Sequence, residues 1–356
     1  MDVKELLQEV VSRGASDLFL VAGLPVAYRV NDIIRRKDEV KLMPDDTEML
    51  VRQIYELAQN RSLTKFEETG DDDFAFAIPG LSRFRVNAYK QRGTMSVVVR
   101  VITFELPNYR ELMIPDSIMN FMNLSKGLVL VTGPAGSGKS TTLSCIVDAI
   151  NNNYEKHIIT LEDPLEYLHS HKKSIISQRE INVDTEGYVQ ALRAALRQSP
   201  DVILLGEMRD YETISTAITA AETGHLILST LHTIGAANTI DRIIDAFPAE
   251  QQRQIAIQLS LVIKAVVSQQ LVPTVDGKLI PAFEIMTVTP AIRNMIRENK
   301  VPQIDGIVYS SDTSEMVSMD NSLFRLVKEG KISKSTAMAY AVNSEMLSRK
   351  LGVAPF

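Results

Sequence analysis

Nine consecutive residues, Gly133, Pro134, Ala135, Gly136, Ser137, Gly138, Lys139, Ser140 and Thr141, satisfy the pattern G-x-x-x-x-G-K-[ST] in full. The apolar run 127–132 comes just before them, and residues 141–150 follow with helical spacing. A buried strand, a glycine turn and a helix in that order leave a chain few folds to adopt. The glycines let the backbone curl so that successive N–H groups point inward at phosphate oxygens. The helix N-terminus adds partial positive charge. In such a loop Lys139 reaches the β- and γ-phosphates of ATP, and the Ser140 hydroxyl sits on Mg²⁺.

With 356 residues there is room for about two domains. The net charge of −6 and the absence of tryptophan do not favour nucleic acid as a partner. The single cysteine, Cys145, follows the phosphate loop and cannot form an internal disulfide. It reads as a packing residue in a reducing compartment. No apolar run approaches the length of a membrane span, and the first ten residues read as an amphipathic acidic helix rather than a signal peptide. A cytoplasmic location is expected.

Two kinds of pattern divide the chain. Residues 1–102 read as a small α/β domain. Helical spacing covers 3–11 and 45–60, and strands are expected at 16–21, 25–30, 73–78, 82–87 and 95–102. Pro79-Gly80 marks a hairpin turn. The acidic run Glu67, Glu68, Asp71, Asp72 and Asp73 reads as a solvated surface. Residues 103–117, with Pro107 and Pro115, read as a linker. From 118 to 288 apolar strands recur at 127–132, 157–162, 202–206 and 226–231 with helices between them, which implies a parallel sheet covered on both faces. Residues 289–356 read as mostly helical.

Ligands bind at the carboxyl ends of strands in such sheets, so the residues after each strand are the candidates. Glu162 ends one strand and is placed to hold Mg²⁺ or its waters. Glu207 follows another and can orient a water for in-line attack on the γ-phosphate. Asp201 begins that strand and belongs to the far end of the sheet. His232 follows 226–231 and can sense the γ-phosphate. His225 precedes the same strand and reaches the nucleotide only if the chain bends back. The five histidines and one cysteine show no metal-ligand spacing.

Four segments, 133–141, 160–166, 201–210 and 224–233, correspond to a Walker A box, an Asp box, a Walker B box and a His box. In this order and spacing the chain resembles the secretion ATPases of the type II and type IV pilus systems, most closely the PilT-like pilus retraction (twitching motility) ATPases. Residues 291–298 resemble that subfamily's C-terminal signature, with Met295 where leucine is usual. Residues 14–18 and 82–87 resemble its PAS-like domain, with Phe19 where histidine is frequent. The resemblance implies a PAS-like N-terminal domain, a RecA-like P-loop ATPase domain and a helical C-terminal part. It further implies a homohexamer that hydrolyses ATP with Mg²⁺ and works against an inner-membrane pilus platform protein. Arg85 and Arg100 best fit the family's trans-acting arginines, with Arg92 a third candidate. Four other readings stand beside it. An assembly ATPase usually has a longer N-terminal region and a tetracysteine motif, neither present here. A nucleic-acid translocase calls for a basic pore, a small-molecule kinase for an acceptor pocket, and a nucleotide-binding regulator has no need of Glu207. In the 291–298 segment Ile292, Met295 and Ile296 form an apolar face, leaving Arg293 and Arg297 for coupling.

Overall fold

The computed structural model describes residues 1–30, 33–102 and 106–353. The chain divides into two compact units, residues 1–105 with 166–168, and residues 106–165 with 169–356. The boundary residues 103–105 of the expected linker and the last three residues lie outside the described ones.

The first unit runs α1 (Val3–Ser12), β1 (Asp17–Leu20), β2 (Pro25–Val30), β3 (Ile33–Lys41), α2 (Pro44–Leu57), α3 (Thr64–Thr69), β4 (Asp71–Ile78), β5 (Ser82–Gln91) and β6 (Thr94–Ile102). Its six strands form an antiparallel sheet in the order β3-β2-β1-β6-β5-β4. Strand alternation puts Phe84, Val86 and Ala88 into the core with Leu6, Leu50 and Ile54, and turns Arg83 and Arg85 to the opposite face. Strand β3 and helix α3 have no counterpart in the sequence expectation. The acidic run also differs from a solvated surface at one position. Asp72 is buried and receives hydrogen bonds from the Tyr55 hydroxyl at 3.0 Å and Arg61 Nε at 2.9 Å, with Lys65 at 3.1 Å. Alternation on β4 turns it inward between the exposed Asp71 and Asp73.

The second unit contains α4 (Asp116–Met119), β7 (Gly127–Thr132), α5 (Lys139–Asn153), β8 (His157–Glu162), β9 (Ile175–Glu180), α6 (Tyr188–Ala195), β10 (Val202–Leu205), α7 (Tyr211–Glu222), β11 (Leu226–Leu231), α8 (Ala236–Asp245) and α9 (Ala249–Val262). It continues with β12 (Ile263–Pro273), β13 (Leu279–Thr287), α10 (Pro290–Arg297), α11 (Pro302–Ser310), β14 (Asp312–Thr313), β15 (Met316–Val317), α12 (Met319–Lys328), α13 (Lys334–Ala339) and α14 (Ser344–Leu351). The sheet order is β14-β15-β13-β12-β7-β11-β10-β8-β9. From β12 to β9 all neighbours are parallel. The other edge corrects the expectation of a wholly parallel sheet, because β13, β15 and β14 are antiparallel additions. A short turn through Gly277 (φ +80°) joins β12 to β13, and a turn of that length can only reverse the chain. On β7, Leu128 and Leu130 face a core built with α6 to α11, while Val129 and Val131 face α4 and α5. Coverage of both faces makes the central strands β7, β8, β10 and β11 largely apolar and leaves the strand ends as the places for polar chemistry.

Candidate functional site: the carboxyl edge of the parallel sheet

Strand β7 is buried throughout and delivers the chain to Gly133, whose φ is +141°. A Cβ there would lie 2.1 Å from the Gln269 carbonyl oxygen on β12, so no other residue fits without moving a central strand. Gly138 (φ +85°) is the N-cap of α5, and no side chain caps that helix. Its first-turn N–H groups therefore face the loop, where an anion is their natural acceptor. Lys139 is buried, and its Nζ donates to the carbonyls of Gly133 at 3.0 Å and Pro134 at 2.7 Å. The Thr142 hydroxyl donates to Gln269 Oε1 at 2.8 Å, so β12 braces the helix as well as the loop. The buried hydroxyls of Thr132, Ser137 and Thr160 have no hydrogen-bond partner among the described residues. Orphaned hydroxyls at a strand edge suit the oxygens of a phosphate group and the waters of its cation.

Neighbouring strands bring the other candidates to the same edge. Glu162 ends β8 and is buried. It shares the strand face of Ile158, which packs with α5 residues, so its carboxylate is on the phosphate-loop side of the sheet. Glu207 follows β10 by two residues. Arg209 Nε lies 2.6 Å from one of its oxygens and His232 Nε2 lies 3.4 Å from the other. The Thr230 hydroxyl donates to the Gly206 carbonyl at 2.6 Å, and Met208 N to the Thr230 carbonyl at 3.2 Å. These bonds fix the turn that carries Glu207. In the order β7-β11-β10-β8, the Glu207 and Glu162 strands lie two and three places from the loop strand, roughly 10 and 14 Å across the sheet.

Loop, Glu162, Glu207 and His232 therefore share one edge. His225 does not, and this corrects its place among the nucleotide-binding candidates. It precedes β11, which runs parallel to β7 with Leu226 opposite Gly127 and Leu231 opposite Thr132. A full strand length of roughly 17–20 Å separates it from the loop. Its Nδ1 is within 2.9 Å of the Ala220 carbonyl and 3.2 Å of the Thr223 hydroxyl, a local helix-end arrangement. Asp201 is likewise at the far end, accepting from His157 N at 2.8 Å.

Arg85 and Arg100 are on the outer face of the first unit, directly opposite each other across β5 and β6. Like charges in that register repel. Each is partnered by an acid: Arg100 Nε lies 3.0 Å from Asp17, and Arg85 Nε 3.7 Å from Asp73. Arg92 is in the β5–β6 turn at φ +48°.

Three residues at the second unit's edge were not singled out by sequence reasoning: Arg209, Tyr188 and Gln269. Burial, then the charges of Glu207, Asp163 and Glu162, raises the Tyr188 phenol above its usual range. A Cβ on Gly206 would meet its hydroxyl at 2.8 Å. Arg209 could have been marked as the cation closest in sequence to Glu207. Nothing in the sequence marks Tyr188 or Gln269.

A glycine loop braced by the neighbouring strand, beside strand ends bearing two carboxylates and a histidine, defines a P-loop nucleotide-binding α/β protein. Residues 1–350 match the family described as type II/IV secretion system protein. The chain belongs to that family. It is 45% identical over 337 residues to the type IV pilus retraction ATPase PilT of Pseudomonas aeruginosa, covering 95% of this chain and 97% of that one. It is 42% identical to the twitching motility protein of Neisseria gonorrhoeae, covering 97% and 92%. A solved structure of the pilus retraction motor PilT with bound ADP superimposes with a TM-score of 0.90 at 43% identity, covering 98% and 99%.

Proposed function

We propose that this chain is an ATP-driven motor for type IV pilus retraction, working as a homohexamer in the cytoplasm against an inner-membrane platform protein. One observation carries the reading: similarity to PilT runs through almost the full length of both chains. Among the described residues no helix is long and apolar enough to cross a membrane, so the motor would engage the membrane machine through that partner.

The chemistry follows from the edge of the sheet. The loop 133–141 cradles the β- and γ-phosphates, and Lys139 leaves its two carbonyl partners to neutralise them. Glu207 orients the attacking water, with Arg209 and His232 fixing its carboxylate. His232, at the end of β11, responds to the γ-phosphate. No cluster of three His, Cys, Asp or Glu side chains forms a metal cage among the described residues. The donor set instead suits Mg²⁺ held by Ser140, the Glu162 carboxylate or its waters, and phosphate oxygens. Bound Mg²⁺ would supply charge neutralisation at the β- and γ-oxygens. Arg85 and Arg100 are assigned to the γ-phosphate of a neighbouring subunit.

The decisive experiment deletes the gene in its host. Surface pili are counted by electron microscopy and twitching is scored on agar. Excess pili without motility is the expected result, whereas bald cells would point to an assembly motor.

A further inference from the structure

The loop after β11, which carries His232, is held on its far side by two facing residues of β12 and β13. Ser268 and Glu284 are cross-strand partners in the antiparallel register. The Ser268 hydroxyl accepts from Gly235 N at 3.0 Å, and Glu284 Oε1 accepts from Ala236 N at 2.8 Å. Gly235 and Ala236 are the N-cap and first residue of α8. The loop residue Thr233 and Thr239 on α8 have their hydroxyls 2.8 Å apart, and Thr239 also donates to the Gly235 carbonyl. The loop therefore has few independent ways to move.

The second oxygen of Glu284 points elsewhere. Oε2 accepts from Met319 N at 3.3 Å, the first residue of α12. One buried carboxylate thus satisfies first-turn donors of two helices and meets both positive helix ends. The next residue repeats the device. Asp320, also buried, accepts from Val342 N and Asn343 N, both at 2.9 Å, at the start of α14. Burial pushes both carboxyls up from their usual range, against the backbone donors that pull them down. A buried charge is an expensive fastener where an apolar contact would also stabilise the fold. What it adds is direction: a hydrogen bond to each helix start is lost if either helix shifts by about 1 Å without the other.

We propose that Glu284 is a positioning residue that couples the His232–Gly235 loop to helices α12–α14, so that a loop shift on phosphate binding moves the C-terminal helices. The proposal rests on the nucleotide site described above and adds the route by which its state leaves that site.

The test is amide hydrogen exchange on the full-length protein, with and without a non-hydrolysable ATP analogue, alongside steady-state ATPase rates. In the wild type the analogue should alter exchange at residues 235–237 and 319–321 together. In Glu284→Gln one of the two acceptors becomes a donor, which cuts the link. The response at 235–237 should persist and that at 319–321 should vanish. The rate kcat should fall about tenfold with KM within about twofold, since the phosphate loop is untouched. Met319→Pro is the second variant, should Glu284→Gln fold poorly. Proline fits the first helical position, and Ser318 before it is already extended (φ −77°, ψ 156°). It removes the donor to Oε2, together with the buried Met319 side chain, and should uncouple the same two segments. A response at 319–321 that survives in either variant overturns the proposal. So does a wild type that binds nucleotide with no response there. A wild type that binds no nucleotide at all would instead overturn the functional reading of the site.

Discussion

At the scale of single residues, the two carboxylates of the sheet edge are separable by experiment. Glu207 is held by Arg209 and His232, and in the proposed mechanism it orients the attacking water, so Glu207→Gln should keep nucleotide binding and lose about 10²- to 10³-fold in turnover. Lys139→Ala removes the proposed phosphate contact and should weaken binding itself. Glu162→Gln should shift the Mg²⁺ concentration required for half-maximal rate. Fluorescent-nucleotide titration and a phosphate-release assay on the three variants check all of this; wild-type turnover in Glu207→Gln would remove it from the base role. Such residues were legible in the sequence because each follows an apolar strand, and the carboxyl edge is where parallel sheets place chemistry. Glu284 was not. It is one acid inside an apolar strand, and its partners are backbone N–H groups that no side-chain pattern announces. His225 was a candidate only if the chain bent back, and the unbroken parallel register of β11 carries the motif's two histidines to opposite ends of the sheet.

Among the elements, β12 was the hardest to see. Helix α9 ends at Val262 and β12 begins at Ile263, with no glycine or proline to mark the change. The buried Ser268, Gln269 and Gln270 break its apolar run, since they serve the loop and helices beside them. The signature helix α10 has its expected apolar side, with Ile292 and Ile296 fully buried. Arg293 is less free than its spacing suggested. Its Nε is buried without a hydrogen-bond partner among the described residues, and its charge acts on Lys264. In the first unit, β4 is tied to α2 and α3 through Asp72. Burial alone would raise that carboxyl, but hydrogen bonds from Arg61, Lys65 and Tyr55 outweigh it and hold it below the usual range. A lowered native pKa gives stability that is present above the unfolded value, near 4, and is lost as pH falls through the native one. Asp72→Asn should therefore cost about 2 kcal/mol at pH 7, with Arg61 partly exposed to solvent, and much less at pH 2–3. Urea melts at the two pH values measure it; an equal loss at both would show that the charge does not matter.

For the whole molecule, the division into two units gives the proposed trans arginines a direct test. The face-sharing pair Arg85 and Arg100 belongs to one unit and the phosphate loop to the other. Mixing an Arg85→Ala chain, with an intact loop, and a Lys139→Ala chain, with an intact arginine, should restore part of the turnover that each lacks alone. ATPase rate against mixing ratio, with assembly followed by light scattering, reads this out. No recovery in mixed assemblies would place the arginine's action within its own chain. Motion between the units can be followed with little preparation, because the chain holds one cysteine. Cys145 is on the buried side of the loop helix α5, and burial pushes its thiol up to about 12. At neutral pH so little thiolate exists that maleimide dyes will pass it by. The native sequence is thus a silent background for spectroscopy. A thiol engineered on β5 and another on α12 would be the only two to take a fluorophore pair, and turnover could be watched as a changing distance within a working motor.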